Sequence, residues 1–174
     1  MNRVALSLLL LTVTAPIALA EGNRSLGLTF SPVGVFAVGA AHGVATGYSA
    51  NLGWSFERGQ SPFSMGGHVA SCAMFTEATP LSVRFTPLPS SRWRPYVGLG
   101  LSLVLGHSGD NALGETVAPL RVGGEAAVGL DVRLAGQFFL DLQGRYQTFP
   151  FGGGPSPSRQ VEVAAAYLGL GVRI

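Results

Sequence analysis

The chain has 174 residues, of which 47% are hydrophobic and only 11% are charged, and its formal net charge is +2. A typical soluble domain carries about 25% charged residues, and this sequence contains no lysine, so the usual solvating residue of a soluble surface is missing. The arginines are scattered and the net charge is small, which argues against a nucleic-acid-binding surface. The 25 glycines show no three-residue period, which excludes a collagen-like chain.

The N-terminus has the pattern of a secretory signal peptide. Arg3 supplies a positive charge, Val4–Val13 forms an apolar core, and Ala18-Leu19-Ala20 is a small-residue cleavage site. A membrane anchor is the alternative, but the apolar run is shorter than the ~20 residues that a spanning helix needs. We therefore expect residues 1–20 to be cleaved as a signal peptide and residues 21–174 to form one exported domain.

The mature chain alternates apolar and polar residues with a period of two, which is typical of β-strands. The clearest case is Leu120–Thr148, whose apolar residues take even positions; the small polar segment Ala135-Gly136-Gln137 within it predicts a hairpin turn. Pro32 is expected at a bulge, since proline cannot donate to a strand ladder. Eight strands are predicted: Ser25–Val38, Ala45–Glu57, Phe63–Phe75, Thr79–Thr86, Arg94–Gly106, the two halves of Leu120–Thr148, and Gln160–Ile174.

Two closed barrels fit eight such strands. A soluble periplasmic barrel would place its apolar face inside, around a ligand, whereas an outer-membrane barrel places it outside, against lipid. The polar face here is mostly Gly, Ala, Ser and Thr, which suits the crowded interior of a narrow barrel better than a solvated surface. The sequence therefore favours the outer-membrane barrel.

The aromatic residues are expected to form two girdles at the two membrane interfaces. The band at the end with short turns contains Trp54, Phe56, Phe63, Phe85, Trp93, Tyr96 and Phe138. The band at the opposite end contains Phe36, Tyr48, Phe75, Tyr146 and Phe149.

Three stretches match a known family: Pro95–Leu101, Gly123–Arg133 and Asp141–Gln147. With these the chain resembles the small outer-membrane β-barrels of the outer membrane protein A and outer membrane protein X type. The resemblance implies an all-β, eight-stranded antiparallel up-and-down transmembrane β-barrel, monomeric, in a bacterial outer membrane. It also implies outer-membrane lipid, lipopolysaccharide and the outer-membrane insertion machinery as partners. The family's barrels usually end in Phe or Trp, whereas this sequence ends in Ile174.

Inward-facing charges are expected to form a salt-bridge network that fills the barrel interior. A three-residue turn would place Asp131 opposite Asp141, and a shifted register would place Arg133 there instead; in either case we expect Arg133 to reach Asp141. A conducting interior is the alternative, but eight strands enclose only enough room for side chains. The predicted network is Arg84, Glu125, Asp131, Arg133, Asp141, Arg145 and Arg173.

His107 and Ser108 raise the alternative of a lipid-modifying hydrolase, a class that occurs among eight-stranded outer-membrane barrels. Adjacent strand residues point to opposite faces, so this pair would cooperate only in a loop, and no acid stands at a spacing that identifies a triad. His42 falls in a short loop and His68 is expected to point inward. The sequence therefore predicts no enzyme, and it carries no pattern for a cofactor or metal.

The remaining expectation is a structural role in the envelope or surface contact with other molecules. Two polar loops, His107–Val117 and Pro150–Arg159, are the expected contact surfaces. Cys72 is the only cysteine, so the domain forms no internal disulfide.

Overall fold

A computed structural model describes residues 24–40, 43–73, 75–106, 120–152 and 161–174. These residues form eight β-strands, each antiparallel to the next, and the last strand pairs with the first to close a barrel. The strands are β1 Arg24–Ala40, β2 Gly43–Arg58, β3 Phe63–Ser71, β4 Phe75–Phe85, β5 Trp93–Gly106, β6 Arg121–Arg133, β7 Phe138–Gly152 and β8 Val161–Arg173. Among the described residues, no helix is long and apolar enough to cross a membrane.

The predicted all-β up-and-down barrel is confirmed, but the predicted division between the third and fourth strands was wrong. The third strand was drawn through to Phe75, but the chain turns after Ser71, where the N–H of Cys72 donates to the carbonyl of Phe75 at 3.0 Å. The fourth strand therefore begins at Phe75 rather than at Thr79. The turn was missed because it contains neither glycine nor proline, the residues that usually mark a chain reversal.

Three prolines lie where the strands change phase. Pro32 in β1 and Pro80 in β4 each lie within a register shift against both neighbouring strands. Pro150 lies within the register shift between β6 and β7. A bulge adds one residue to a strand and reverses the face of every residue beyond it, and proline fits there because it has no N–H to pair. The predicted bulge at Pro32 is confirmed.

The two ends of the barrel differ in their connections. At the turn end, β1 begins, β8 ends, and residues 59–62, 86–92 and 134–137 connect the strands. At the loop end, the connections are residues 41–42, 72–74, 107–119 and 153–160. The predicted loop His107–Val117 lies outside the described residues, as does the predicted signal peptide, residues 1–20. Pro150–Gly152, assigned above to the second loop, continues β7; the rest of that loop is not described.

Candidate functional site in the barrel interior

The barrel reverses the polarity of a soluble protein. Its outer face carries apolar side chains, such as Leu99, which is 70% exposed. Its interior buries charged ones, such as Asp141, which is only 2% exposed. Exposed large apolar residues occur on all eight strands: Phe30, Tyr48, Met65, Val83, Leu99, Val128, Leu142 and Leu170 are examples. An apolar surface of this extent marks contact with something other than water.

The interior nearest the loop end is an apolar layer rather than a polar one. Its buried members are Phe36, Val38, Ala70, Val104, Phe149, Val163, Ala165 and Tyr167, with Cys72, Phe75 and Val161 packed against them. Phe36 meets Phe75 edge to face, with ring centroids 5.2 Å apart. Apolar side chains therefore gather in this loop-end layer of the described interior, where a polar interior was predicted, and Glu77 adjoins them as the register partner of Ala70 and Val104.

Below this layer lies a central cluster built around His68. Its Nε2 is 3.2 Å from Oε2 of Glu125 and 3.7 Å from Oε1 of Glu77. Nη1 of Arg145 lies 3.7 Å from the same Glu77 oxygen. All four residues are 6% exposed or less, so the cluster combines two acids, one guanidinium and one imidazole away from bulk water.

Hydrogen bonds hold the Glu125 side of the central cluster more firmly than the Glu77 side. Oε2 of Glu125 accepts from Thr79 at 3.0 Å and from Nε2 of Gln147 at 2.8 Å. Neither Glu77 oxygen has a hydrogen-bond partner at a suitable distance and angle among the described residues. At 3.7 Å, the contacts of Glu77 with His68 and Arg145 are longer than direct hydrogen bonds.

A second network, the turn-end cluster, lies toward the short turns. Nη2 of Arg173 donates to Glu57 and to Asp131, both at 3.2 Å, and Nη2 of Arg94 donates to Glu57 at 2.9 Å. The Tyr96 hydroxyl donates to Oδ1 of Asp141 at 2.9 Å. Ion pairs that are mostly buried are costly to break one partner at a time, so these contacts fix the side chains in place.

The hairpin register decides between the two predicted pairings. The turn has three residues, and the N–H of Leu134 donates to the carbonyl of Phe138 at 3.0 Å. Asp131 therefore lies opposite Asp141, and Phe139 rather than Asp141 lies opposite Arg133. Gly136 takes the left-handed conformation, with φ of 57°, that such a turn requires.

The structure brings together most of the predicted network, but in two groups. Glu125 and Arg145 belong to the central cluster. Asp131, Asp141 and Arg173 belong to the turn-end cluster. Arg84 also belongs to the turn-end cluster, since its guanidinium lies 4.6 Å above the Tyr96 ring. The predicted contact of Arg133 with Asp141 is wrong: Arg133 lies at the end of β6 and is exposed. The register shift at Pro80 turns Glu77 inward, and its partner His68 was expected inward but not as part of a network.

The predicted aromatic girdles need correction at four positions. Phe36, Phe75, Tyr96 and Phe149 lie in the interior, since Phe36 is 5% exposed, Phe149 is fully buried, and Tyr96 and Phe75 contact buried groups. The bulge at Pro32 turns Phe36 inward, and strand phase alone places Tyr96 on the inner face. The others lie on the outer face: Tyr48, Trp54, Phe56, Phe63, Phe85, Trp93, Phe138 and Tyr146.

The inward aromatic rings lie over glycines on the neighbouring strand. Tyr96 pairs with Gly129, Phe36 with Gly47 and Tyr167 with Gly34; a Cβ added to any of these glycines would come within 2.7 Å of the ring. The same arrangement occurs outside, where Trp54 covers Gly67 and is only 7% exposed. Small residues opposite large ones let a narrow barrel hold rings that a uniform interior would exclude.

The geometry gives no support for catalysis in the described part of the chain. His68 contacts two acids, but at 1% exposure it cannot meet a substrate. No group of three or more His, Cys, Asp or Glu residues suited to a metal ion occurs among the described residues. The candidate pair His107 and Ser108, and also His42, lie outside those residues.

No protein-family model matches the sequence, and no curated protein matches it. Several solved structures match the chain. Neisserial surface protein A is 15% identical, with a TM-score of 0.61 over 88% of this chain and 99% of that one. The outer membrane protein OprG of Pseudomonas aeruginosa is 14% identical, with a TM-score of 0.57 over 88% and 97%. The N-terminal β-barrel domain of OprF, from the same organism, is 14% identical, with a TM-score of 0.57 over 88% of this chain and 100% of that one. The chain therefore shares the fold of the small eight-stranded barrels found among bacterial outer-membrane proteins.

Proposed function

We propose that this protein is an integral β-barrel of a bacterial outer membrane, with a side-chain-filled interior and no catalytic activity. The observation that carries the proposal is the reversed polarity: exposed apolar residues surround the barrel while Glu77, Glu125, Asp141 and Arg145 are buried inside it. Within the hydrocarbon core of a membrane, a β-sheet can pair all of its backbone N–H and C=O groups only if it is closed. The pairing of β8 with β1 closes this sheet.

The proposed orientation places the turn end in the periplasm and the loop end outside the cell. Outer-membrane barrels have short periplasmic turns and longer external loops, and the two longest connections, residues 107–119 and 153–160, are at the loop end. Exposed aromatic residues gather near the turn end, as expected of an interfacial girdle: Phe63, Phe85, Trp93 and Phe138. The loop-end girdle retains Tyr48 and Tyr146.

The proposed role is structural or interactive rather than transport. The proposal is supported by the buried side chains of the loop-end layer, the central cluster and the turn-end cluster, which occupy the described interior. Contacts with other molecules would then be made through the loops around His107–Val117 and Gly153–Arg159. Outer-membrane lipid, lipopolysaccharide and the insertion machinery are the proposed partners, and the protein is proposed to act as a monomer after cleavage of residues 1–20.

Cell fractionation tests this proposal. We expect the full-length chain, expressed in a Gram-negative host, to be recovered in the outer membrane and to migrate faster on an unheated denaturing gel than after boiling. Recovery as a soluble periplasmic protein would contradict the proposal and favour the soluble ligand-binding barrel.

The rival enzyme function is tested by His107→Ala and Ser108→Ala. Because we propose no catalysis, both variants should leave the lipid A and phospholipid profile of the host unchanged from that of the wild-type chain. A profile that changes when the wild-type chain is expressed, and reverts in either variant, would establish a lipid hydrolase instead.

A further inference from the structure

The turn end carries a large excess of positive charge. Seven arginines but only three acids lie there: Arg24, Arg58, Arg84, Arg92, Arg94, Arg133 and Arg173 against Glu57, Asp131 and Asp141. The other described residues include only Arg121 and Arg145 against Glu77, Glu125 and Glu162. The positive charge of the barrel is therefore concentrated at one end.

The acids of the turn end are already engaged inside the barrel. Glu57 accepts from Arg94 and Arg173, Asp131 accepts from Arg173, and Asp141 accepts from Tyr96. None of them faces outward, since Asp131 and Asp141 are buried and the Glu57 side chain is only 12% exposed. The described acids of this end thus all make internal contacts, and none of them pairs with the outer arginines.

Three exposed arginines lie on the rim, and two of them, Arg92 and Arg133, form a like-charged pair. Arg92 and Arg133 lie side by side: Nε of Arg92 donates to the carbonyl of Arg133 at 3.3 Å, and the N–H of Arg133 donates to the carbonyl of Arg92 at 2.9 Å. Arg58, Arg92 and Arg133 are exposed, and among the described residues none has an acid within ion-pair distance. Like charges in such positions repel unless an anion lies between them.

The aromatic residues set the depth of these arginines. Arg92 directly precedes Trp93, which is 57% exposed, and Arg133 lies across the three-residue turn from the exposed Phe138. Aromatic side chains of this kind lie at the level of lipid headgroups. The rim arginines therefore lie where phosphate groups of the bilayer are found, and a guanidinium binds phosphate through two parallel hydrogen bonds.

We propose that the rim formed by Arg58, Arg92 and Arg133 binds the headgroups of anionic glycerophospholipids in the periplasmic leaflet. This inference rests on the proposed membrane orientation. The ligand is a lipid phosphate rather than a soluble anion, because the same residues that present the charge adjoin side chains exposed for contact with lipid. The barrel would gather anionic lipid around its turn end and leave the loop end without this preference.

The fluorescence of Trp93 can report which lipids lie next to the rim. The chain has only two tryptophans, so Trp54→Phe leaves Trp93 as the single fluorescent tryptophan. The single-tryptophan protein is refolded into phosphatidylcholine vesicles that contain a fixed fraction of either brominated phosphatidylglycerol or brominated phosphatidylcholine. We expect brominated phosphatidylglycerol to quench Trp93 more strongly than brominated phosphatidylcholine. The ratio of their association constants should be about five, because one arginine near an anionic surface contributes about 1 kcal/mol. Raising the sodium chloride concentration should reduce this ratio.

The matched variants separate charge from packing. Arg92→Gln with Arg133→Gln should bring the ratio close to one, whereas Arg92→Lys with Arg133→Lys keeps both charges and should retain most of the preference. A ratio that survives in the Gln variant would overturn the inference. A ratio abolished by inorganic phosphate, but not by chloride at equal ionic strength, would assign the rim to a soluble anion and overturn it as well.

The experiment also distinguishes this inference from the proposed function. If both brominated lipids quench Trp93 equally in the protein with its arginines intact, the barrel is in the membrane and only the lipid preference is wrong. If neither lipid quenches Trp93, the rim does not contact a bilayer, and the proposed membrane orientation fails with the inference.

Discussion

Tyr96 shows how single residues combine packing and charge in this barrel. Its ring lies across Gly129 on the neighbouring strand, its hydroxyl donates to Asp141 at 2.9 Å, and the Arg84 guanidinium stacks on it at 4.6 Å. All three contacts require that Gly129 have no side chain. A glycine that seems conformationally neutral in the sequence therefore positions part of the turn-end cluster.

We expect Gly129→Ala to destabilise the barrel by about 1–3 kcal/mol, the usual cost of overpacking. The new Cβ would lie 2.3 Å from Cζ of Tyr96, so the ring would have to move away from Asp141. The measurement is the free energy of unfolding in urea, in vesicles or detergent. Gly124→Ala on the same strand is the control, since nothing lies within 4 Å of its Cβ position. Equal losses in both variants would contradict the packing argument.

Arg173 is the second residue with a measurable role. Arg173→Met removes the donor shared by Glu57 and Asp131 while keeping most of the side-chain volume, and we expect a loss of about 3 kcal/mol in unfolding free energy. Arg133→Met, at an exposed position of the same end, should change stability by less than about 0.5 kcal/mol. A similar loss in both variants would mean that general charge, not these ion pairs, stabilises the turn end.

At the scale of strands, alternation predicts the fold well and fails where a bulge intervenes. The hairpin β6–β7 was located correctly because its alternation runs unbroken from Val122 through Thr148 on the inner and outer faces. Phe36 was misplaced because the bulge at Pro32 reverses the phase of β1. Phe149 was misplaced because the girdle prediction considered the height of each aromatic residue along the barrel and not the face on which it lies. A bulge cannot be located from one strand alone, since it is defined by the partner that it skips.

The same limit explains which part of the interior could be predicted. Asp131, Asp141 and Arg173 lie on unbroken stretches of alternation, so their inward direction could be read from the sequence. Glu77 lies beyond the bulge at Pro80 and next to a turn without glycine or proline, so neither its strand nor its face was evident. The available signal was Pro80 itself, an interior-strand proline that needs an unpaired position.

We expect deletion of Pro80 to prevent formation of the native barrel, because the loss of one residue would turn Phe75–Thr79 over and direct Glu77 outward. Pro80→Ala keeps the residue count and should fold. The measurement for both is the heat-dependent shift in gel mobility after refolding into detergent or vesicles. A deletion variant that folds as well as Pro80→Ala would show that the bulge does not set the register of β4.

At the scale of the whole molecule, the interior is divided along the barrel axis into three layers of different chemistry. Apolar side chains fill the loop end, a compact group of acids, His68 and Arg145 fills the centre, and ion pairs fill the turn end. Composition could predict that small residues dominate the inner face. It could not predict the layering, which depends on heights that only the register between strands defines.

We expect planar bilayers containing the refolded protein to show no stable conductance steps. The described interior carries buried side chains at the loop end, the centre and the turn end, and eight strands enclose only enough room for side chains. The same preparation denatured by boiling serves as the control for membrane leaks. Large, long-lived steps in the refolded sample alone would overturn the closed interior.

The layering also bears on how such a chain crosses a bilayer. Insertion from the periplasm, which the proposed orientation implies, would move the loop end through the hydrocarbon first, and the described strands carry far fewer arginines there than at the turn end. Moving fewer charges through lipid costs less free energy. Most guanidinium groups follow at the trailing edge and need not cross. Under the proposed orientation, the uneven distribution of arginine along the barrel axis would therefore favour insertion with the loop end leading.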